Sequence, residues 1–325
     1  METPLISIIT PCYNTAHLVY RLLDSVLEQT YPNIEMFLID DGSSDNLKEI
    51  FERYKPRFIQ RGYTLKYVRQ DNSGQSVALN NGLKLIKGEY LVWPDSDDFY
   101  AAKEALEILY NTFKENNDNI GIVRSDINYV NEENLDIIYK SNLITYEDLF
   151  IDCLLQKNNF SFVPGTYMVK VADIDRLIPD REIYTEKSAG QNWQILLPFL
   201  YKHRCITIKK HLHNILVRKN SHSRTHRPSI EKAINMIDVY ERTIINTLDR
   251  MPTLENECKE HYITLVKNKY HIERLQIALS FKDKNKIKEY FNIVKQNKIE
   301  LPLKLKLRLR FGIIYTAYSK LRKLF

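Results

Sequence analysis

The chain has 325 residues, of which 44% are hydrophobic and 27% charged, a balance that supports a packed core and excludes wholesale disorder. Nine glycines and eleven prolines exclude collagen-like and low-complexity architectures. The formal net charge of +6 is concentrated in residues 301–325, which hold seven Lys/Arg and no acid; the remainder, with 40 basic and 41 acidic residues, has no footprint for nucleic acid.

Residues 5–10 form a β-branched run stopped by Pro11 and read as a buried strand. Leu18, Leu22, Val26 and Leu27 then recur at helical spacing across 17–29. A second strand, 34–39, breaks into Asp40-Asp41-Gly42-Ser43-Ser44-Asp45. A helix over 46–55, a short strand at 65–68, a polar stretch at 70–76 and a helix through 78–86 follow. A fourth strand, 90–93, runs into Pro94-Asp95-Ser96-Asp97-Asp98. Alternating strands and helices predict βαβ units and a mainly parallel α/β sheet. Polar clusters therefore follow the strand ends near 10, 39 and 93, and ligands of open α/β sheets bind outside those carboxyl ends. From about 229 the pattern becomes helical, with apolar residues at a 3.6 period in 230–248 and further amphipathic stretches at 254–281 and 285–297. The expected division is a 1–228 α/β domain, with a donor half to about 100 and an acceptor half beyond it, and a 229–325 helical appendage.

Cys12, Cys153, Cys205 and Cys258 lie far apart without a CxxC, which fits a reducing compartment better than a disulfide framework or structural zinc. The N-terminal residues lack a basic region followed by a long apolar run, and nothing approaches 18 consecutive apolar residues. A cytoplasmic chain is expected.

Asp95-Ser96-Asp97 places carboxylates directly after a strand, a pattern suited to Mg²⁺ or Mn²⁺ bridging to phosphate oxygens. Asp173-Ile174-Asp175 has the same spacing but opens a helix, where a charge-stabilising role suffices. His211-Leu212-His213 puts two imidazoles on one strand face, a weak zinc pattern.

Four ordered motifs carry a resemblance: Pro11-Cys12-Tyr13-Asn14; Asp40 to Asp45; Asn72-Ser73-Gly74 with Ala78, Asn80 and Gly82; and Gly88-Glu89-Tyr90 leading to Asp95-Ser96-Asp97-Asp98. In order and spacing they resemble family-two inverting glycosyltransferases of the GT-A fold, strongly over 5–100, diffusely over 100–225, and not beyond. The resemblance implies a nucleotide-sugar donor, UDP-linked in most members, a glycan or lipid-linked glycan acceptor, and an Mn²⁺ or Mg²⁺ cofactor. It implies that Pro11 and Tyr13, with Asn14, border the base, and that Asp40 and Asp41 bind uracil and ribose. Asn72, Gly74 and Asn80 would shape the donor pocket, Asp95 and Ser96 would lie beside ribose and sugar, and Asp97 would ligate the metal. Arg218 and His222, in a loosely matching basic element, would meet the diphosphate.

Two departures stand out. Leu79 occupies a position where many members carry arginine. Gln191-Asn192 stands where the family has an acidic pair, and a neutral amide is too weak a base to take a proton. Glu186 is the nearest carboxylate and is the expected general base. The same departure supports the alternative of a nucleotide-sugar-binding scaffold with reduced turnover. A dinucleotide-binding dehydrogenase is excluded, because no glycine occurs in residues 11–16. Between Glu186 and Glu231 there is no acid but there are nine Lys/Arg, a one-signed segment suited to phosphate. In the 301–325 tail leucines alternate with cations, compatible with strand or helix; the leucines either cover the helical region or, with the cations, lean on anionic lipid at the inner face of the membrane.

Overall fold

The computed structural model describes residues 3–116, 120–218 and 229–311. Its strands are β1 (Ile6–Cys12), β2 (Ile34–Asp41), β3 (Thr64–Gln70), β4 (Tyr90–Val92), β5 (Phe99–Tyr100), β6 (Ile120–Asn131), β7 (Ile137–Lys140), β8 (Tyr167–Lys170) and β9 (Arg204–Val217). The helices are α1 (Val19–Leu27), α2 (Leu47–Arg61), α3 (Gln75–Leu83), α4 (Ala105–Glu115), α5 (Phe150–Leu155), α6 (Val171–Leu177), α7 (Gln191–Lys202), α8 (Ile230–Arg250), α9 (Asn256–Phe281), α10 (Lys284–Gln296) and α11 (Leu303–Phe311).

One sheet runs β3-β2-β1-β4-β8-β6-β9-β5, with β7 added to β6. Strands β1 to β4 are mutually parallel, as the alternating pattern predicts, and β9 is parallel to β6. β8 is antiparallel to both of its neighbours. Every residue of β1 and β2 is buried, which demands the continuous apolar runs read from the sequence. Even Glu35 of β2 is covered; its carboxylate accepts from the Ser7 hydroxyl at 2.7 Å and the Lys87 N–H at 2.6 Å. The apolar stripe of α1 (Val19, Leu22, Leu23, Val26) joins Phe51, Tyr54 and Phe58 of α2 in the same core.

β1 extends through Pro11 to Cys12 rather than stopping before the proline. Because β4 pairs only with Ile6, Ser7 and Ile8, the outer end of β1 has an unpaired side, where a residue without an N–H is tolerated.

The chain forms two compact units, divided differently from the expected boundary at 228. Residues 3–218 associate with Arg242–Lys259, whereas 229–241 associate with the chain from Glu260 onward. The 3.6 period of α8 is continuous through Arg250, so periodicity could not reveal that its two ends belong to different units. In the second unit Arg274 is bound by Asp238, at 2.6 Å, and by Glu241. Its core includes Ile230, Leu275, Tyr290 and Val294. The leucine–cation stretch is helical over α11, and the i, i+4 spacing turns Leu301 and Leu305 into that core, with Leu309 packed against it and Leu303 71% exposed. Residues 312–325 lie outside the described residues. Among the described residues no helix is long and apolar enough to cross a membrane.

Candidate active site

The carboxyl ends of β1, β2 and β4 lie side by side: Cys12 pairs in register with Asp40, and Ile8 with Val92. The loops that follow these strands, together with the start of α3 and the end of β9, build one site from distant segments.

Asp40 is fully buried. Its carboxylate accepts from the Ser43 N–H at 2.8 Å, from Arg69 at 2.6 Å and from the Tyr67 hydroxyl. Burial alone would raise its pKa, but these hydrogen bonds and the Arg69 charge outweigh burial and hold it below the usual carboxylate value. Asp41 accepts from Gln70 at 2.8 Å, from the Ser73 N–H at 2.7 Å and from the Gly74 N–H at 2.9 Å. Asp40, expected at the nucleoside, has no exposed surface, and Asp41, expected there too, is tied to protein donors. They fix the turn and the 70–74 loop. Asn72 joins them, its side-chain amide donating to the Asp41 carbonyl at 3.0 Å. Gly42 (φ +76°) and Gly74 (φ +96°) supply left-handed backbone here, and a Cβ on Gly74 would come within 2.8 Å of the Lys187 carbonyl.

Asn14 likewise anchors rather than projects. In left-handed conformation (φ 53°), its N–H donates to the Ser43 hydroxyl at 3.0 Å and its side-chain carbonyl accepts the Ser44 N–H at 2.8 Å. Pro11 is buried in β1, whereas Tyr13 is 51% exposed and offers an open ring face at the site. Asn80, expected at the donor pocket, is engaged by the backbone of the 183–190 segment. Its amide clamps Ile183 by both N–H and carbonyl, at 2.9 and 3.0 Å, and so draws the 183–190 segment against α3. Ser76 adds a bond to the Ala189 carbonyl at 3.1 Å, and Leu79 is buried in the core.

In the Asp95-Ser96-Asp97-Asp98 loop each carboxylate has a distinct environment. Asp95 accepts from Gln75 of α3 at 2.9 Å, and burial together with the adjacent Asp97 charge raises its pKa to about 7. Ser96 is buried. Asp97 is ion-paired with Arg218, the residue that follows β9. Asp98 is buried and accepts the Leu216 N–H at 3.0 Å, so it fastens β9 to the loop. Burial raises its pKa well above the carboxylate norm. His222 lies outside the described residues. By contrast, Asp173 and Asp175 are engaged by Arg176 and His203 and by Arg181, respectively, as a helix-start role requires. His211 sits 3.1 Å from the Ser141 carbonyl, and His213 is buried with neither ring nitrogen bonded.

Glu186 is bound by Arg242 of α8 through both oxygens, at 2.6 and 3.2 Å, and by the Tyr184 hydroxyl at 3.1 Å. Arg242 chiefly, against a smaller opposing effect of burial, holds its pKa below the usual value. A carboxylate held this way accepts a proton less readily than a free one. Gln191 and Trp193 are buried, Trp193 packing against Phe162 with ring centres 4.8 Å apart, so Trp193 belongs to the core. Asn192 accepts from the Trp93 indole at 3.4 Å. Gln75, Tyr67, Arg69 and Arg242 escaped the sequence reading because each acts through a partner visible only after folding.

The residues at Asp97 fit a divalent cation. Asp97 already attracts a positive charge, its neighbour Asp95 is crowded by negative charge, and the loop opens at the strand ends. Among the described residues no group of three or more His, Cys, Asp or Glu could hold a metal unaided, so a cation here would complete its shell from phosphate and water.

A mainly parallel sheet with acidic loops at its carboxyl edge defines an open α/β architecture, whose ligands bind at that edge. The profile of Glycosyl transferase family 2 matches residues 7–178, and the chain belongs to that family. It is 31% identical over 172 residues to a poly(ribitol-phosphate) beta-glucosyltransferase of Bacillus spizizenii, covering 48% of this chain and 26% of the relative. The matched segments span only about 13 to 36% of the curated relatives' lengths. Among solved structures, S. aureus TarS 1–349 in complex with UDP-GlcNAc matches with a TM-score of 0.64 at 20% identity, over 90% of this chain and 80% of that one. The mannosyltransferase PcManGT of Pyrobaculum calidifontis, in complex with GDP-Man and Mn²⁺, matches with a TM-score of 0.58 at 17% identity, over 98% and 84% of the two chains. The fold is GT-A.

Proposed function

We propose that this chain transfers a sugar, with inversion, from a UDP-linked donor to a hydroxyl of a glycan or lipid-linked glycan in bacterial surface polysaccharide synthesis. The carrying observation is the meeting of the exposed Tyr13 ring, the Gln75–Asp95 bridge and the Asp97–Arg218 pair at one strand edge. The names of the relatives, which include a poly(ribitol-phosphate) glucosyltransferase and a structure holding UDP-GlcNAc, support the reading.

The chain's own residues divide the work. Tyr13 offers the base a face to stack on, and the network around Asp40 and Asp41 keeps the ribose side of the site rigid, so that binding orders few groups. Asp97 would hold Mn²⁺ or Mg²⁺, which supplies positive charge to the leaving diphosphate. Arg218 adds a second cation. An acceptor hydroxyl attacks the anomeric carbon from the side opposite the diphosphate; the new C–O bond forms as the bond to the diphosphate breaks, the hydroxyl proton passes to water or to the departing diphosphate, and the configuration inverts. The seven cations of 301–325 suit contact with an anionic membrane surface, where lipid-linked acceptors reside.

Full-length protein with Mn²⁺ and a panel of nucleotide sugars tests this. Release of UDP from one UDP-sugar, dependent on metal and stimulated by acceptor glycan, is expected. Tight UDP-sugar binding with no UDP release under any acceptor would identify the scaffold alternative. Absence of nucleotide-sugar binding would refute both.

A further inference from the structure

The carboxylate best placed for a metal already carries a cation of the protein. Arg218 Nη2 donates to Asp97 Oδ2, and both side chains are only 21% exposed, so the pair is sheltered rather than exchanging freely with solvent. The pairing is also preset by backbone. β9 is in register with β6 up to Val217, opposite Asn131, and the buried Asp98 carboxylate holds the Leu216 N–H, two residues before Arg218 and one residue after Asp97. A second observation concerns the guanidinium itself. Its Nε–H is buried and has no hydrogen-bond partner among the described residues, so there Arg218 retains an unused donor beside the one given to Asp97. A planar guanidinium with one donor free is matched by the paired oxygens of a phosphate.

We propose that Arg218 is an internal counter-ion that competes with the divalent cation for Asp97 and transfers to the donor diphosphate. Metal and nucleotide then bind tightly only together. Without nucleotide, a dication approaching Asp97 must displace the guanidinium or sit beside it, and either is unfavourable in a sheltered site. When a nucleoside diphosphate arrives, its oxygens give the guanidinium a bidentate partner and leave Asp97 to the metal. The charge of the loop is balanced in both states. The inference rests on the donor-site reading above and adds to it an order of events.

The test is Mn²⁺ binding to the full chain, read from the electron paramagnetic resonance signal of free Mn²⁺, with and without UDP. In R218A and R218Q, nucleotide-free Mn²⁺ affinity should rise at least about fivefold, the lower end of ordinary coupling between sites. Affinity for UDP at saturating Mn²⁺ should fall at least about tenfold, as loss of a charged phosphate contact implies. R218K, which keeps the charge, should hold Mn²⁺ affinity near the parent value, and D173A should change neither quantity. Unchanged or weaker nucleotide-free Mn²⁺ binding in both neutral variants, with native near-ultraviolet circular dichroism, would overturn the proposal while leaving the donor site intact. A parent protein that binds no UDP would instead overturn the donor-site reading itself.

Discussion

Between pH 7 and 5 His213 should withdraw about 2 kcal/mol of stability from the first unit, against the opposite contribution of the raised Asp95 and Asp98 carboxyls, which parent and His213 variant share. This histidine sits on β9 opposite Tyr100, whose ring meets it edge-on at 5.4 Å, and it is 1% exposed. Neither of its ring nitrogens has a hydrogen-bond partner, and a Cβ on Gly165 would fall 2.4 Å from the imidazole, so the space around it is closed. Burial pulls its pKa down from the usual imidazole value to about 3. A histidine with a depressed folded pKa contributes stability above the unfolded pKa, near 6.5, and loses it as pH falls toward 3. The loss at pH 5 follows from the 1.5 units separating pH 5 from 6.5, at about 1.4 kcal/mol per unit. Urea unfolding at pH 5, 6 and 7, followed by tryptophan fluorescence, measures this in the correct unit, because Trp93 and Trp193 are the chain's two tryptophans and both belong to it. His213→Leu, of similar volume, should lose about 2 kcal/mol less than the parent between pH 7 and 5. Parallel pH dependence in parent and variant would refute the reasoning.

Asp97→Ala should abolish metal-dependent UDP-sugar binding with a change in unfolding free energy below about 1 kcal/mol, because it loses only a partly covered ion pair at a loop; calorimetric titration with and without Mn²⁺ decides, and unchanged affinity removes the metal assignment. Glu186→Gln should lower turnover by less than about tenfold, since Arg242 already occupies the carboxylate; a loss beyond about a hundredfold would restore Glu186 as general base. Truncation after Phe311 should remove co-sedimentation with anionic vesicles at low salt, whereas cutting after Glu300 would also strip Leu301 and Leu305 from the second core. Vesicle binding that survives the cut at 311 would exclude residues 312–325 as the contact.

What the residues determined by themselves was local. Short, largely apolar runs bounded by turn residues read as strands covered on both faces, and β1 and β2 are such strands. Acidic segments at the ends of two strand runs, Asp40–Asp45 and Asp95–Asp98, placed the candidate site at the carboxyl edge before any contact was known. The helical period likewise announced α8, α9 and α10.

Tertiary structure alone decided which side chains face a ligand and which serve the scaffold. Asp40 and Asp95 both follow a strand in an acidic motif, yet the first is sealed by Arg69, on β3, and the second is left beside Asp97 at the opening. Arg218 meets Asp97 across 121 residues, and Asn80 holds Ile183 across 103. The insertion of antiparallel β8 between β4 and β6, which brings β9 and its arginine to the site, leaves no mark in hydrophobic periodicity. The physical reason is that periodicity records which face of an element is buried, whereas the partner of a charge depends on strand order and register. Those emerge only when the whole sheet has formed.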